Sequence, residues 1–399
     1  MTLRLYYDDP YCKEFDAIVE ECVPAEDDFL LRLNRSAFYP TSGGQPYDTG
    51  DISEARVLDV FADKDGEVWH RIDRALETGS SVHGRIDWER RFDHMQQHAG
   101  EHMLANAAWR ILGGMTIGLH LGADVSSIDM TLPEGKTHAT EEELRALEDD
   151  VNARIQRDVP IRQWFPSEAE LADLPLRKPP TVSEHIRIVQ IGELEFCACG
   201  GTHPSSAGQI GLVKIVDARP SRGKLRLSFV CGRRAYLLLR DHYDLAHRAA
   251  DLLSTSVYQL PTTVENMNAQ IKELTRQLAA AQKELLFRDA QRMLDDAVQT
   301  EDGIRVVAEI LRGDVNTVRE LALRLTQMEK CAVMLGADNG KNVAYVLCRH
   351  GDVSINMGAV LSAAAKQCGG KGGGKPDFAQ GGGPAEMLDA MKRQILSGK

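Results

Sequence analysis

Over residues 1 to about 90, apolar and polar positions alternate in short runs such as FLLRLNRSAFYP, ARVLDVF and EVWHRID, cut by Gly, Asp and Pro. Alternation puts one set of side chains on one face of a strand, so the stretch predicts a small, mostly antiparallel β domain. From Phe92 the period lengthens. In HMQQHAGEHMLANAAWRIL the apolar positions Met95, Ala99, Met103, Ala107 and Ile111 recur every four residues, which predicts a helix ended by Gly113 and Gly114. EEELRALEDDVNARIQ predicts a second, acidic-faced helix. The mixed segment 158–250, with strand-like HIRIVQI and LRLSFVC, completes an α+β domain over 91–250.

Between Val264 and Leu285 the pattern changes again. Val264, Met267, Ile271, Leu274, Leu278, Ala281 and Leu285 alternate three and four apart, an a/d seam over about three heptads. It fits either an amphipathic helix lying on its own domain or a coiled-coil arm that contacts a second copy, and residues 255–295 form a helical connector in both cases. Beyond it, the strand-like RVVAEIL, CAVMLGA and VAYVLC interleave with the helical NTVRELALRLTQM and GAVLSAAAKQ. That order predicts a small α/β domain over 296–399, containing CGGKGGGKPDFAQGGGP and closed by the helix AEMLDAMKRQIL.

With 399 residues, 43% hydrophobic and 27% charged, the chain can bury a real core and is expected to split into two or three domains. A formal charge of −12 argues against a general nucleic-acid coat or a polybasic membrane binder and leaves room for a local basic patch. No run approaches the roughly 18 apolar residues of a membrane helix, and MTLRLYYDDPYCKEF lacks a basic-then-apolar signal pattern, so a soluble, cytoplasmic protein is expected. Eight cysteines are spread too thinly for a disulfide scaffold, which makes any clustered cysteine a candidate metal ligand.

His98 and His102 lie four apart on the predicted helix, so both imidazoles leave one face about one turn apart and can reach a single ion. His94 precedes His98 by the same interval, and periodicity does not choose between the pairs. In CACGGTHP, Cys199 and His203 enclose two glycines and converge as zinc ligand pairs with short loops do; Cys197 is the alternative thiol. Two such pairs in one domain favour tetrahedral Zn²⁺ bound by three nitrogens and one thiolate.

FYPTSGGQPYDTG, residues 38–50, reads as a strand end opening into a glycine turn. By itself it is a hairpin loop, but Thr41, Ser42 and Gln45 there could present hydroxyls and an amide to an ester or ribose. The run 218–240 carries Arg219, Arg222, Lys224, Arg226, Arg233, Arg234 and Arg240 without a carboxylate. It is a field suited to phosphates, or else a solvated face paired with acids elsewhere, and Arg85, Arg90 and Arg91 could extend it. Gly369 to Lys375 has the spacing of a phosphate loop, but residue 376 is Pro where a Mg²⁺-binding hydroxyl belongs, so the ATPase reading fails. What remains is a flexible or closely packed turn whose backbone, with Lys366, Lys371 and Lys375, could touch an RNA backbone.

Together these motifs resemble the large form of the free-standing alanyl-tRNA editing proteins, which are similar to the editing and C-terminal domains of alanyl-tRNA synthetase. The resemblance runs over nearly the whole chain and rests on FYPTSGGQPYDTG, RRFDHMQQHAGEHML, CGGTHPSSAGQIG and GGGKPDFAQGGG, in the family's order. It implies an α+β protein: a β-barrel-like subdomain (1–90), a zinc-binding editing domain (91–250), the connector (255–295), and a glycine-rich DHHA1-like domain (296–399) for tRNA binding or oligomerisation. It further implies Zn²⁺ on His98, His102, Cys199 and His203, an active-site glutamine at Gln45, and hydrolysis of the ester joining serine, and perhaps glycine, to tRNA(Ala). With residue 1 already in the editing region, no activation module is expected and the enzyme would act in trans.

Where many members have Thr or Ser and Gln, this chain has Gly100 and Glu101, and Glu101 could assist a water. HAGEH also fits the H-x-x-E-H pattern of metallopeptidases, but Cys199 and His203 already offer four protein ligands. A third reading is a zinc-stabilised tRNA-binding protein without catalysis. The tRNA is expected to lie on Arg219, Arg222, Lys224, Arg226, Arg233, Arg234, Lys371 and Lys375, with a possible homodimer through the C-terminal region. Thr41 is the expected reader of the serine hydroxyl.

Overall fold

The computed structural model describes residues 1–180, 185–288, 290–338, 340 and 342–397. They form two compact units, Met1–Arg248 and Ala249–Lys399.

In the first unit six strands close into a barrel, in spatial order Glu14–Ala25, Asp28–Leu33, Val68–Ile72, Ala55–Ala62, Gly50–Ile52 and Ser81–Ile86. The alternation visible in the sequence fills it. Phe15, Ala17 and Val19 face inward with Val82 and Ile86, while Asp16, Ile18 and Glu20 face out. Closure satisfies the edge strands that so small a sheet would otherwise expose.

The central element of this unit is the helix Trp88–Leu112. Asp87 caps it by accepting from the Arg90 N–H, and Gly113 ends it in the left-handed conformation at φ 66°. It starts four residues before Phe92 because the cap lies at Asp87, a signal the apolar period does not carry. Most of its side chains from His94 to Ala108 are buried, so it runs through the unit and does not lie on it. One face packs on a four-stranded sheet ordered Val213–Ser221, Lys224–Cys231, Ser126–Thr131, Met115–Leu121, and another on the helix Glu141–Gln156, whose capping box is Thr140 with Glu143. Met103, Ala107, Ile128, Val151, Leu227 and Phe229 share that core. Gly100 explains one departure in the histidine motif: a Cβ there would lie 2.3 Å from Cys231 Sγ, so helix and strand approach closely only over glycine. A three-stranded sheet of Ile161–Trp164, Ile188–Ile191 and Glu195–Ala198 delivers the loop that follows residue 198.

The second unit is a mixed six-stranded sheet, in order Val298–Gln299, Arg305–Arg312, Cys331–Asp338, Val343–Arg349, Phe378–Gly383 and Lys371–Gly374. Ala290–Asp295 and Val315–Met328 cover one face, Met357–Cys368 and Met387–Leu396 the other. The glycine stretch expected as a turn is instead a pair of strands. A Cβ at Gly358 would sit 2.4 Å from the Gly374 carbonyl oxygen, and one at Gly372 would sit 2.6 Å from Gly381 Cα, so hairpin and helix meet backbone to backbone. Leu260–Arg288 is one continuous helix whose seam residues Ile271, Leu274 and Leu278 are 58%, 63% and 60% exposed. The alternative in which that seam lies on its own domain is therefore excluded for these three residues within this unit. Among the described residues no helix is long and apolar enough to cross a membrane.

Candidate active site

Four side chains from two distant stretches meet inside the first unit. His98 and His102 project from one face of the helix, Cys199 and His203 from the loop after Glu195–Ala198, and one donor atom from each lies within 4.8 Å of the other three. Cys199 Sγ is 3.5 Å from His98 Nε2 and 3.3 Å from His203 Nε2. A tetrahedral ion with bonds of about 2.0–2.3 Å sets its donors roughly 3.5 Å apart, so the cluster fits such an ion. The glycines of CGGTH make the approach possible. A Cβ at Gly201 would lie 2.2 Å from His98 Cε1. Burial alone would push the Cys199 thiol up, but the imidazoles of His98, His203 and His102 outweigh it and hold it well below the usual thiol range, as a thiolate donor requires. Burial, the largest influence on His203, pushes it down to about 3. His94 is buried outside this group, and Cys197 falls in a second one with His102 and Glu195.

Two of the ligand rings, His98 and His102, have polar groups behind them. Gln45, fully buried, accepts from the Thr202 N–H at 3.1 Å, which identifies its Oε1, and the same oxygen lies 2.9 Å from His98 Nδ1. The Nδ1 proton is thereby placed and Nε2 is left as the free lone pair. Gln45 reaches this position from a two-residue turn. Ser42 and Gln45 exchange both backbone bonds across Gly43 and Gly44, whose φ values of 57° and 87° suit glycine. Behind His102, Nδ1 is 3.5 Å from Glu195 Oε1, and Glu195 also accepts from Asn106 and a forked Arg177. Burial would raise the Glu195 carboxyl; His102 and Arg177 hold it below the usual range. Arg187 clamps the loop, donating to the carbonyls of Cys199 (3.1 Å) and Gly201 (2.8 Å). Sequence reasoning missed Glu195, Arg177 and Arg187. The one trace of Glu195 and Arg187 is a charged residue beside apolar, strand-like neighbours, and Arg177, in PLRKPP, left none.

His98, His102 and Cys199 line a cavity of about 630 Å³ walled also by Tyr7, Tyr39, Phe165, Glu101, Lys178 and Arg187, while fully buried His203 does not line it. Ser42 and Gly43 reach this wall, whereas Thr41 and Gln45 do not line it. Thr41 is a correction: its hydroxyl turns back to accept from the Tyr47 N–H at 3.2 Å, within its own loop. Gln45 likewise is fully buried and spends its amide oxygen on His98 and the Thr202 N–H and one amide N–H on the Thr202 hydroxyl.

The basic run is also corrected. Arg219 pairs with Asp217 at 3.2 Å, Arg226 with Asp129 at 2.6 Å, and Arg234 with Asp93, so three of the eight expected phosphate contacts are already matched by acids. Among the described residues Arg222, Lys224 and Arg233 make no ion pair, nor do exposed Lys371 and Lys375 in the second unit. Arg91 cannot extend a surface patch, because it is fully buried against Asp48 and donates to the carbonyls of Pro10 and Ala37.

A family model described as "Threonyl and Alanyl tRNA synthetase second additional domain" matches residues 186–227, over the loop that carries Cys199 and His203, and a "DHHA1 domain" model matches 303–397. Alanine–tRNA ligases align with nearly the whole chain: that of Haloquadratum walsbyi is 33% identical over 395 residues (96% of this chain, 42% of the ligase), that of Pyrococcus furiosus 33% over 394 (95% and 42%), and that of Methanoregula boonei 35% over 411 (97% and 42%). The chain is a homologue of alanine–tRNA ligases. It spans about two fifths of the length of these relatives. Within this ligase homologue, the four-donor cluster and the synthetase additional domain coincide at Cys199 and His203, and the DHHA1 match covers the glycine hairpin.

Proposed function

We propose that the chain is a deacylase that hydrolyses the ester joining serine, or glycine, to tRNA(Ala), and that His98, His102, Cys199 and His203 hold Zn²⁺. The observation that carries this reading is the convergence of those four donors, three of them on residues that line a polar cavity, in a segment related to alanine–tRNA ligases. When bound, the ion supplies a fixed positive charge beside the ester and ties helix to loop. The chain's own residues do the rest. Gln45 and Glu195 fix the rings of His98 and His102, and Arg187 holds the loop that carries Cys199. Tyr7 and exposed Phe165 offer an aromatic wall on which the terminal adenine stacks, and Lys178, without an ion pair among the described residues, faces the backbone charge. Serine is told from alanine by hydrogen-bonding its extra hydroxyl, because a pocket wide enough for Ser also admits Ala. With Thr41 turned away, Ser42 is the hydroxyl of that motif placed to do it.

Arg222, Lys224 and Arg233 are proposed to contact the tRNA from the first unit, and Lys371 and Lys375 from the second. The chain is assayed with Ser-tRNA(Ala), Gly-tRNA(Ala) and Ala-tRNA(Ala). Hydrolysis of the first, or the first two, with the third spared supports the reading; binding of tRNA(Ala) with no hydrolysis of any ester assigns a zinc-stabilised binding protein instead.

A further inference from the structure

The cavity wall contains a charged side chain with nothing to pair with. Glu101 lies between His98 and His102 on their helix, lines the cavity, and is 6% exposed. Among the described residues it makes no hydrogen bond and no ion pair. The other fully buried carboxylates of this unit are matched: Glu195 takes Arg177 and Asn106, and Asp48 takes Arg91 and the Tyr39 N–H. The fields of Arg177 and Lys178 reach Glu101, yet Arg177 is committed to Glu195 and Thr116, and Lys178 stays beyond ion-pair distance. A carboxylate that lines the cavity without a cation of its own is free to pair with one that a ligand brings.

We propose that Glu101 binds the α-ammonium group of the aminoacyl ester. This rests on the deacylase reading and adds to it a substrate-binding residue and a substrate class, esters with a free α-amine. The ammonium nitrogen is two bonds from the ester carbonyl carbon, and Glu101, one turn after His98, lines the same cavity as the cluster, so the carboxylate receives the ammonium while the carbonyl lies at the cluster. An ammonium offers three donors to the two carboxylate oxygens, a charge-assisted contact that an uncharged α-substituent does not reproduce. The neighbouring residues of the motif do not compete for this role, since Ala99 is buried in the core and Gly100 is held against Cys231.

The test uses the full chain and two substrates: Ser-tRNA(Ala), and the same tRNA after nitrous-acid deamination, in which a hydroxyl replaces the α-amine. Each rate is corrected for spontaneous hydrolysis. The wild type is expected to prefer the aminoacyl ester about 10- to 100-fold in kcat/KM. Glu101→Gln should lose most of that preference by slowing the aminoacyl ester alone, with zinc content unchanged and the thermal midpoint not lowered. Glu101→Asp, which keeps the charge, should retain part of it. A Glu101→Gln protein that keeps the preference, or slows both esters equally as loss of a general base would, overturns the assignment and leaves the deacylase reading standing. A wild type inert toward both esters overturns that reading and this proposal with it.

Discussion

The side-chain oxygen of Gln45 stands 2.9 Å from Nδ1 of His98, and the Thr202 N–H donates to that same oxygen. The glutamine of the barrel loop is thereby a support for a metal ligand. Gln45→Ala should lower zinc affinity by about 10- to 100-fold, the usual effect of losing such a partner. Competition with a chromophoric chelator measures it. Unchanged affinity with lost hydrolysis would return Gln45 to the substrate.

Glu195 stands behind His102 at a longer distance, 3.5 Å from its Nδ1, and acts on that ring through its charge. Glu195→Gln leaves the shape but removes the charge that Arg177 and His102 share. Zinc affinity should fall by about the same factor, and Arg177, left in a buried site without its acid, should make the protein less stable as well. Chelator competition and thermal denaturation separate the two effects.

The buried pair of Arg91 and Asp48 joins the histidine helix to the barrel. Neither group touches solvent, so removing one strands the other, and Arg91→Leu should cost about 3–5 kcal/mol in urea unfolding. The double variant with Asp48→Leu should recover part of this, but not all, because the carbonyls of Pro10 and Ala37 and the Tyr39 N–H remain without partners.

His70 gives the barrel a pH dependence of definite sign. Its ring lies wholly in the core, with Nδ1 3.1 Å from the Leu31 carbonyl and Nε2 2.8 Å from the Ser36 hydroxyl, and burial pushes it down to about 4. The neutral ring donates to Leu31 and accepts from Ser36. Between pH 6.5 and about 4 the unfolded chain binds a proton that the folded one does not, so stability falls as pH falls across that window. The loss reaches about 3 kcal/mol at its lower end and is absent above neutrality. Urea midpoints of the wild type and His70→Gln, compared from pH 7.5 to 4.5, should converge as pH drops.

The exposed seam of Leu260–Arg288 is proposed to pair with a second copy. Leu274→Glu with Leu278→Glu should convert a species of twice the chain mass into one of single mass in sedimentation velocity. A wild type already of single mass would rule out the pairing.

Local pattern carried much of the architecture. Alternation marked the barrel strands, and EEELRALEDDVNARIQ coincides with the helix Glu141–Gln156. The interval between His98 and His102 and the glycine turn of CGGTH pointed to the residues that now lie together, because both are set by backbone geometry within a few residues. What was not legible depends on distant partners. Arg226 and Arg234 read as free charge, yet their acids stand 97 and 141 residues away. Arg91 sits in a basic stretch beside the helix start, and its burial is decided by Asp48 in another loop. Glu195 and Arg187 gave no signal of their own, since a lone charge in a strand is ordinary until the fold closes around it.

The most direct test joins metal to chemistry in one preparation: zinc content and Ser-tRNA(Ala) hydrolysis, measured side by side for the wild type and Cys199→Ala. About one zinc per chain and rapid hydrolysis are expected for the wild type, with both lost on removing the thiolate. A Cys199→Ala protein that has shed its zinc and still deacylates at the wild-type rate would contradict the account.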